Sequence, residues 1–282
     1  MIQTIDLASL PARLPARANH SHKGDFGAVG VLGGAPGMAG AILLAGRAAL
    51  HCGAGRVYLG TLDERLAVDP VCPELMIVAA ESLPALPRPA CLIAGPGMGH
   101  SSSARRVLSK ALRVEHALLL DADALNLIAG DTELMAALQA RAADTEAIAT
   151  LLTPHPGEAA RLLGVENSEI QGDRSGAIQR LVDLTGATVV LKGHATLVLH
   201  PGHMLWCNSS GNPAMAAPGM GDVLTGIIAA LIAQGMSVEH AAVVGVWLHG
   251  KAADAALAAS GERRALSASE VSLSARDVLA NL

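Results

Sequence analysis

The sequence NPAMAAPGMGD (residues 212–222) leads directly into the apolar run VLTGIIAALIAQG (residues 223–235). A loop of small residues that opens a helix leaves the first backbone N–H groups without intrahelical partners, and the helix dipole favours an anion at that end. The run is apolar on nearly every side, which predicts a buried helix. We therefore interpret the segment as a phosphate-binding loop at the start of a buried helix.

Asp222 lies where this loop meets the helix, and two interpretations of its carboxylate are open. It is a natural helix cap. It is also placed to accept the proton of a hydroxyl group that attacks phosphorus. Gly211, Gly219 and Gly221 allow close backbone approach to a ligand, which favours the second interpretation.

The overall composition narrows the class of protein. A chain of 282 residues that is 51% hydrophobic can bury a large core, and we expect a single domain over residues 1–282. The net charge is −5 and Lys and Arg form no block, which argues against nucleic acid as a partner. We find no leader pattern and no run of the roughly 18 apolar residues that span a bilayer, so we expect a cytoplasmic protein without membrane contact.

Short runs rich in Leu and β-branched residues alternate with alanine-rich stretches along the chain. This alternation is typical of an α/β fold with a parallel sheet covered by helices. The predicted strands are 28–32, 56–59, 91–94, 117–120, 148–152, 188–191 and 196–199. The predicted helices are 38–52, 104–112, 157–163, 172–184, 223–234 and 238–259. Residues 261–274 are polar and predict a mobile surface loop.

Small and polar residues follow five of the predicted strands. Ligands of open α/β sheets bind beyond the carboxyl ends of the strands, so we expect these segments to meet at one edge of the sheet. They are GGAPGMAGA (33–41), GPGMG (95–99), DADALN (121–126), TPHPGE (153–158) and KGHAT (192–196). Their spacing matches neither the dinucleotide-binding Gly-x-Gly-x-x-Gly pattern nor the P-loop, so a different nucleotide-binding fold is needed.

Several residues in these segments have a structural interpretation as well as a functional one. His155 lies between two prolines, which either hold its ring for ligand contact or end the strand while Glu158 serves the next helix. Lys192 either pairs with an acid such as Asp121 or reaches a phosphate. Asp121 and Asp123 either hold Mg²⁺ through water or cap the following helix, with capping by Asp123 favoured.

Other polar residues lie outside this predicted edge. The segment HKGD (22–25) either folds over a phosphorylated substrate or forms a surface turn. Six histidines are expected on the surface or satisfied in the core, and no pair of them has the spacing of a zinc motif. They are His51, His116, His200, His203, His240 and His249.

Six ordered segments carry a family resemblance: HKGDFG (22–27), GPGMG (95–99), DADALN (121–126), TPHPGE (153–158), LKG (191–193) and GMGDVLTG (219–226). Together they closely resemble the ADP-dependent NAD(P)H-hydrate dehydratases, from about residue 21 to the region 268–279. The resemblance implies a ribokinase-like three-layer α/β sandwich, with a mostly parallel central sheet and helices on both faces. It also implies an enzyme that repairs NADH or NADPH after water has added to the nicotinamide ring.

The resemblance further implies the reaction and its participants. ADP phosphorylates the ring hydroxyl of the S-epimer of the hydrate, phosphate then leaves, and the products are NADH or NADPH, AMP and phosphate. Mg²⁺ is the implied cofactor, with Asp121 and Asp123 as candidates only through bound water. Many relatives carry an additional epimerase domain, so a separate NAD(P)H-hydrate epimerase is the implied functional partner. Relatives suggest a homotetramer.

Matching positions inherit roles from the same resemblance. Asp222 is implied to be the base at the substrate hydroxyl, and Gly221 with the helix start is implied to hold the transferring phosphate. The residues implied to line the nucleotide are Lys192, Gly193, His194, Ala195 and Thr196. The residues implied to contact the hydrated dinucleotide, besides Asp222, are Ala41, Gly97 and His155.

The chain departs from the family pattern in two places. Relatives often read Gly-Gly-x-Gly-Asp in the final loop, whereas here Pro218 replaces the first glycine and Met220 offers no hydroxyl to a phosphate. Backbone N–H groups can do the same work, so we expect an altered loop rather than an inactive one. Ala214 replaces a frequent glycine and narrows the backbone conformations there.

Two other functions fit the same sequence. A vitamin-precursor kinase of the hydroxymethylpyrimidine or hydroxyethylthiazole type would stop at a stable phosphate ester. A nucleotide-binding sensor would keep the pocket without turnover. The segments around His22 and His155 favour the dehydratase, and the presence of Asp222 argues against the sensor.

Overall fold

One sheet of ten strands runs through the computed structural model, which describes residues 2–85, 89–143, 149–261 and 265–282. The strands are β1 (Ile2–Ile5), β2 (Ala28–Gly33), β3 (Arg56–Thr61), β4 (Met76–Ala79), β5 (Cys91–Ala94), β6 (Ala117–Leu120), β7 (Thr150–Leu152), β8 (Thr188–Leu191), β9 (Leu197–Leu199) and β10 (Leu205–Asn208). Their order across the sheet is β1-β10-β9-β8-β7-β6-β5-β2-β3-β4. Adjacent strands are parallel, except that β9 is antiparallel to both β8 and β10.

Helices cover both faces of this sheet. They are α1 (Ala39–His51), α2 (Ser102–Ala111), α3 (Asp123–Ala129), α4 (Thr132–Ala143), α5 (Pro156–Leu163), α6 (Asn167–Gly172), α7 (Arg174–Thr185), α8 (Met220–Ala233), α9 (Val238–Ala259) and α10 (Ala268–Leu279). α1, α8, α9 and α10 pack into one hydrophobic core, while α2 to α7 pack into a second core on the opposite face. The predicted three-layer α/β fold with a mostly parallel sheet is confirmed.

Helix α8 lies at the centre of the first core. Residues 223–233 of this helix are all buried. α8 packs against α1 so closely that a Cβ on Gly226 would overlap the carbonyl oxygen of Ala45. This backbone contact fixes the start of α8 relative to the rest of the fold. Although α8 is apolar, no helix within the described ranges combines the length and apolarity needed to cross a bilayer.

The α1–α8 contact predicts a large stability effect from a single methyl group. Gly226→Ala should lower the free energy of unfolding by about 1–3 kcal/mol, because the methyl group forces the two helices apart in a fully packed core. Gly172→Ala is the matched control, since a Cβ at that helical position would meet no atom within 4 Å. Urea unfolding of both variants measures the difference, and equal stability of the two would contradict close packing at Gly226.

Each predicted strand and helix has a counterpart in the structure. The bounds of β5, β6, β8 and α9 agree with the prediction, while Ile148, the first residue of another predicted strand, lies outside the described residues. Seven elements are additional to the prediction: β1, β4, β10, α3, α4, α6 and α10. Three of these strands lie at or next to an edge of the sheet, where partly exposed residues weaken the apolar signal.

Two boundary predictions are wrong for identifiable reasons. The predicted loop at 261–274 is a helix from Ala268 onward, because Ser267 and Glu270 form a reciprocal capping box; residues 262–264 lie outside the described part of the chain. The predicted helix 172–184 starts later. Asp173 accepts the backbone N–H of Gly176 and thereby separates α6 from α7.

Candidate active site

Three polar residues meet where the adjacent strands β6, β7 and β8 end. Asp121, Thr153 and Lys192 each follow one of these strands. Lys192 Nζ lies 2.7 Å from Asp121 Oδ1, and Thr153 Oγ1 donates to the same oxygen at 2.8 Å. Asp121 is only 2% exposed. The predicted pairing of Lys192 with Asp121 is therefore present, at the edge of the sheet where ligands of this fold class bind.

The ammonium group of Lys192 remains charged in this environment. Burial lowers the pKa of a lysine, but the nearby carboxylates of Asp121 and Glu158 outweigh it, so that the pKa of Lys192 is raised. Glu158 Oε2 lies 3.9 Å from Lys192 Nζ. A fixed positive charge at this position suits a ligand that carries phosphate.

His155 is held rigidly at the start of α5. Its Nδ1 accepts the backbone N–H groups of Gly157 at 3.0 Å and Glu158 at 3.3 Å, and Glu158 Oε2 accepts the backbone N–H of His155. Its Nε2 lies 3.1 Å from Glu158 Oε1, so the hydrogen-bond geometry places the ring proton on Nε2. Glu158 thus serves the start of α5, as one of the two interpretations predicts. Half of the side chain of His155 remains exposed and is accessible to a ligand.

The carboxylate of Glu158 connects His155 to Lys192. Burial raises the pKa of a carboxylate, but hydrogen bonds from His155 and the charge of Lys192 outweigh it, and the pKa of Glu158 is lowered. Glu158 therefore stays ionised between the two groups. The predicted substrate residue His155 and the predicted nucleotide residue Lys192 belong to one hydrogen-bonded and charged network.

The start of α8 faces this network. Gly219, with φ at +86°, is the N-cap of α8, and the helix begins at Met220. A Cβ on Gly221 would lie 3.1 Å from Lys192 Nζ and 3.6 Å from Asp121 Oδ2. The first turn of α8, whose backbone N–H groups precede the intrahelical hydrogen bonds, therefore lies beside the ammonium of Lys192, and this combination suits a phosphate group.

Asp222 is the third residue of α8 and does not cap it, so the capping interpretation is wrong. Burial raises the pKa of Asp222, the charge of Asp121 raises it further, and the charge of Lys192 opposes them, with a resulting pKa of about 7. A carboxylate with this pKa is divided between its two protonation states at neutral pH. That is the condition under which a general base works best.

The raised pKa of Asp222 predicts a pH-dependent stability difference. The folded protein binds this proton up to about pH 7 and the unfolded chain only to about 3.8, so the charged carboxylate costs stability increasingly as the pH rises between these values. Asp222→Asn removes the charge and should raise the free energy of unfolding by about 1–2 kcal/mol at pH 8, allowing for solvent screening of a partly exposed group. Thermal unfolding at pH 4 and pH 8 tests this, and a difference that does not shrink towards pH 4 would contradict it.

The turn Asp121-Ala122-Asp123 directs two carboxylates to different partners. Ala122 has φ at +50°, an unfavourable conformation for a residue with a side chain. Asp123 lies inside α3 and its Oδ2 accepts the backbone N–H of Gly99 at 2.8 Å, so the predicted capping by Asp123 is wrong. Asp123 instead fixes the loop that follows β5.

That loop also contacts the start of α1. A Cβ on Gly97, which has φ at +55°, would lie 3.1 Å from the Cβ of Ala41. The structure therefore brings together two of the predicted substrate residues, Ala41 and Gly97. The third, His155, lies at the end of β7, two strands away along the same edge of the sheet.

A cavity of about 490 Å³ opens beside Lys192 and the start of α8. Five of the six predicted nucleotide residues line it: Lys192, Gly193, His194, Thr196 and Gly221. Ala195 is outside the lining, and its carbonyl oxygen accepts Arg174 Nη2 at 3.1 Å. Arg174 also binds the carbonyl oxygens of Leu191 and Lys192 and so holds this loop in place, a role that the sequence does not indicate.

The cavity wall includes His249 of α9, which is 8% exposed. Its Nε2 has no hydrogen-bond partner among the described residues. Burial, with a contribution from the charge of Lys192, lowers the pKa of His249 to about 4, so its ring is neutral at physiological pH. The prediction that His249 lies away from the ligand-binding edge is wrong. Only the packing of α9 brings it there, and no local sequence signal indicates this.

Within one copy of the protein, residues 22–25 lie far in space from this cavity. It forms a 3-10 helix, Lys23–Phe26, just before β2 begins. A Cβ on the adjacent Gly27 would overlap the carbonyl oxygen of Ala233, at the end of α8 opposite the phosphate loop. These contacts favour the surface-turn interpretation of residues 22–25.

Comparison with known proteins gives consistent results. A family model described as NAD(P)H-hydrate dehydratase matches residues 29–273. The chain is 42% identical to the ADP-dependent (S)-NAD(P)H-hydrate dehydratase of Neisseria meningitidis, over 98% of this chain and 92% of that protein. It is also 42% identical to a bifunctional NAD(P)H-hydrate repair enzyme of Coxiella burnetii, but there the match spans 89% of this chain and about half, 50%, of the relative.

Solved structures agree with the fold. The ADP/ATP-dependent NAD(P)H-hydrate dehydratase of Bacillus subtilis, co-crystallised with ATP and Mg²⁺, superposes with a TM-score of 0.80 at 30% identity, covering 95% of this chain and 94% of that one. A ribokinase-like superfamily protein of Enterococcus faecalis superposes with a TM-score of 0.82 at 24% identity, covering 99% and 96%. The predicted ribokinase-like fold is confirmed.

Proposed function

The chain belongs to the NAD(P)H-hydrate dehydratase family, and from this membership and the geometry of its site we propose that it is an ADP-dependent (S)-NAD(P)H-hydrate dehydratase. One observation carries the proposal. Asp222, with a pKa of about 7, stands at a helix start that faces the partly buried cation Lys192 beside a cavity of nucleotide size. This combination provides a base and an anion site within the same few residues.

The proposed reaction has two steps. Asp222 takes the proton of the ring hydroxyl while the oxygen attacks the β-phosphorus of ADP, and the bond to the bridging oxygen breaks to release AMP. The phosphate ester then loses phosphate, driven by the lone pair of the ring nitrogen, and the iminium ion so formed loses a proton from the adjacent ring carbon to give NADH or NADPH. Phosphate is a far better leaving group than hydroxide, and the protein's contribution is positioning and charge stabilisation.

The cavity beside Lys192 is the proposed nucleotide site. The adenosine part of ADP would lie along residues 192–196, and its terminal phosphate would reach the first turn of α8 at Gly221. The N–H groups of that turn and the ammonium of Lys192 would neutralise the negative charge that develops on the transferring group. The hydrated dinucleotide would contact Ala41, Gly97 and His155 on the other side of Asp222.

Magnesium fits this site through water rather than by direct coordination. Asp121 Oδ1 already accepts Lys192 and Thr153, and Asp123 Oδ2 accepts Gly99, so each carboxylate keeps one oxygen for a hydrated ion. We propose Asp121 and Asp123 as the residues that hold hydrated Mg²⁺. When bound, the ion would neutralise the phosphates of ADP.

His249 is proposed to contribute a hydrogen bond to the bound nucleotide. Because its buried Nε2 has no partner among the described residues, His249→Phe should leave stability unchanged or slightly raised, yet weaken ADP binding about three- to tenfold. His240→Phe, in the first turn of the same helix, is the control and should leave ADP affinity unaltered. Calorimetric titration with ADP and thermal unfolding test this, and unchanged affinity in His249→Phe would contradict it.

Further features of the protein are proposed on the same basis. We propose that residues 1–282 form one domain, and we propose a cytoplasmic location, a homotetramer, and functional pairing with an NAD(P)H-hydrate epimerase. The epimerase proposal is supported by the bifunctional repair enzymes, of which this chain matches about half. Light scattering coupled to size-exclusion chromatography tests the tetramer, and a monomeric mass would refute it.

The decisive experiment follows the near-ultraviolet absorbance of reduced nicotinamide. Purified protein is mixed with acid-prepared NADH hydrate, Mg²⁺ and either ADP or ATP. A rise that depends on the nucleotide establishes the dehydratase and identifies the phosphate donor. A stable phosphate ester without recovered absorbance would indicate a precursor kinase instead, and nucleotide binding without any product would indicate a sensor.

A further inference from the structure

Two histidines and a glutamate meet at the edge of the sheet opposite the active site. His200 directly follows β9, which runs antiparallel to β8 and therefore ends near the beginning of β8. His203 lies in the turn between β9 and β10, and Glu239 lies in the first turn of α9. The β9–β10 connection thus contributes two side chains, and the start of α9 contributes one, to a single group.

The three side chains lie close enough together for one atom of each to bind the same metal ion. One ligand atom from each residue can be chosen so that all three lie within 4.8 Å of one another. His203 Nδ1 is 2.9 Å from Glu239 Oε1, and the rings of His200 and His203 meet edge to face with centroids 4.7 Å apart. A tetrahedral ion with ligand bonds of about 2.0–2.1 Å needs ligand atoms about 3.3 Å apart, so small side-chain rotations suffice.

A buried residue orients the first of these ligands. Thr188 Oγ1 lies 2.7 Å from His200 Nδ1, and Thr188 is 1% exposed. In the tautomer whose Nδ1–H donates to this hydroxyl oxygen, Nε2 carries the free lone pair, which is how oriented histidine ligands are held in metalloproteins. Glu239 is also mostly buried, with 16% of its side chain exposed, so its carboxylate is confined beside His203.

We propose that His200, His203 and Glu239 bind a divalent transition-metal ion of the Zn²⁺ class, with water completing the coordination. Two imidazoles and one carboxylate suit borderline ions and not Mg²⁺, which prefers oxygen ligands. The ion takes the place of the proton now shared between His203 Nδ1 and Glu239 Oε1, and that proton moves to His203 Nε2. The site is structural, because it joins the β9–β10 turn to the start of α9 at the edge of the sheet away from Asp222.

The test uses full-length protein without a histidine tag, freed of metal with a chelator and titrated with Zn²⁺. We expect one-to-one binding by calorimetry and a melting temperature that rises with Zn²⁺ concentration. His200→Ala and His203→Ala should each lower the affinity at least about tenfold, and Thr188→Val should lower it by about tenfold through loss of the oriented ring. Co²⁺ in place of Zn²⁺ should give the visible bands of a low-coordinate site with nitrogen and oxygen ligands.

The control is His240→Ala, which removes the histidine next to Glu239 but outside the group, and it should bind Zn²⁺ as the wild type does. Metal-free melting temperatures of all variants verify that they fold, and dehydratase activity of His203→Ala should be unchanged. Absence of one-to-one binding in the wild type would overturn the proposal. Equal affinity in the wild type and the His200→Ala/His203→Ala double variant would overturn it as well.

Discussion

Asp222→Asn is expected to lower the turnover of NADH hydrate at least about a hundredfold while leaving the fold intact. The amide has nearly the same shape as the carboxylate but cannot accept the hydroxyl proton. The wild-type rate should also rise with pH through about 7, as Asp222 loses its proton, and this step should be missing from the residual activity of the variant. Steady-state rates from pH 5.5 to 8.5, at saturating ADP, measure both effects.

The interpretation of that result depends on two controls. Asp183→Asn removes an exposed carboxylate on α7, far from the site, and should retain wild-type turnover. The ADP affinity of Asp222→Asn should be unchanged or increased, because a negative charge near the terminal phosphate has been removed. Wild-type turnover in Asp222→Asn would refute the assignment of Asp222 as the base, and a melting temperature far below wild type at pH 8 would show that the loss is structural.

Lys192→Met is expected to produce the second large effect, on stability and binding together. The variant leaves the 2%-exposed carboxylate of Asp121 without its cation, which should lower the free energy of unfolding by about 3–5 kcal/mol. It also removes the positive charge that faces the start of α8, so ADP affinity should fall at least about tenfold. Urea unfolding and calorimetric titration with ADP measure the two losses separately.

A double variant separates these two consequences. Lys192→Met combined with Asp121→Asn removes both charges, and the asparagine can still accept the hydroxyl of Thr153. We expect most of the lost stability to return, whereas ADP affinity should remain low because the cation is still missing. If the double variant were as unstable as Lys192→Met, the pair would not be the source of the loss. Recovery of ADP binding would show that Lys192 has no role at the phosphate.

The sequence predicts the parts of the site that follow a single strand or open a single helix. The sequence identifies Lys192, His155 and Asp222 in this way, because glycine and proline residues mark the ends of the short apolar runs. The sequence does not identify His249 or Arg174. Tertiary packing brings His249 to the site from the middle of a helix and Arg174 from the start of one. The sequence indicates Asp123 as the N-cap of α3, but the N-cap is Ala122 and the helix already begins at Asp123. The prediction is wrong by one residue because an alanine gives no sequence signal of the positive φ that Ala122 adopts.

The same strained alanine has a consequence for how the site meets its ligand. Glycine at position 122 would relax the backbone of the Asp121-Ala122-Asp123 turn, but it would also let the free protein sample many other turn conformations. Alanine narrows that ensemble, so Asp121 stays directed to Lys192 and Asp123 to Gly99 before any ligand arrives. Binding then loses little conformational entropy at this turn, and more of the interaction free energy remains available for the transition state.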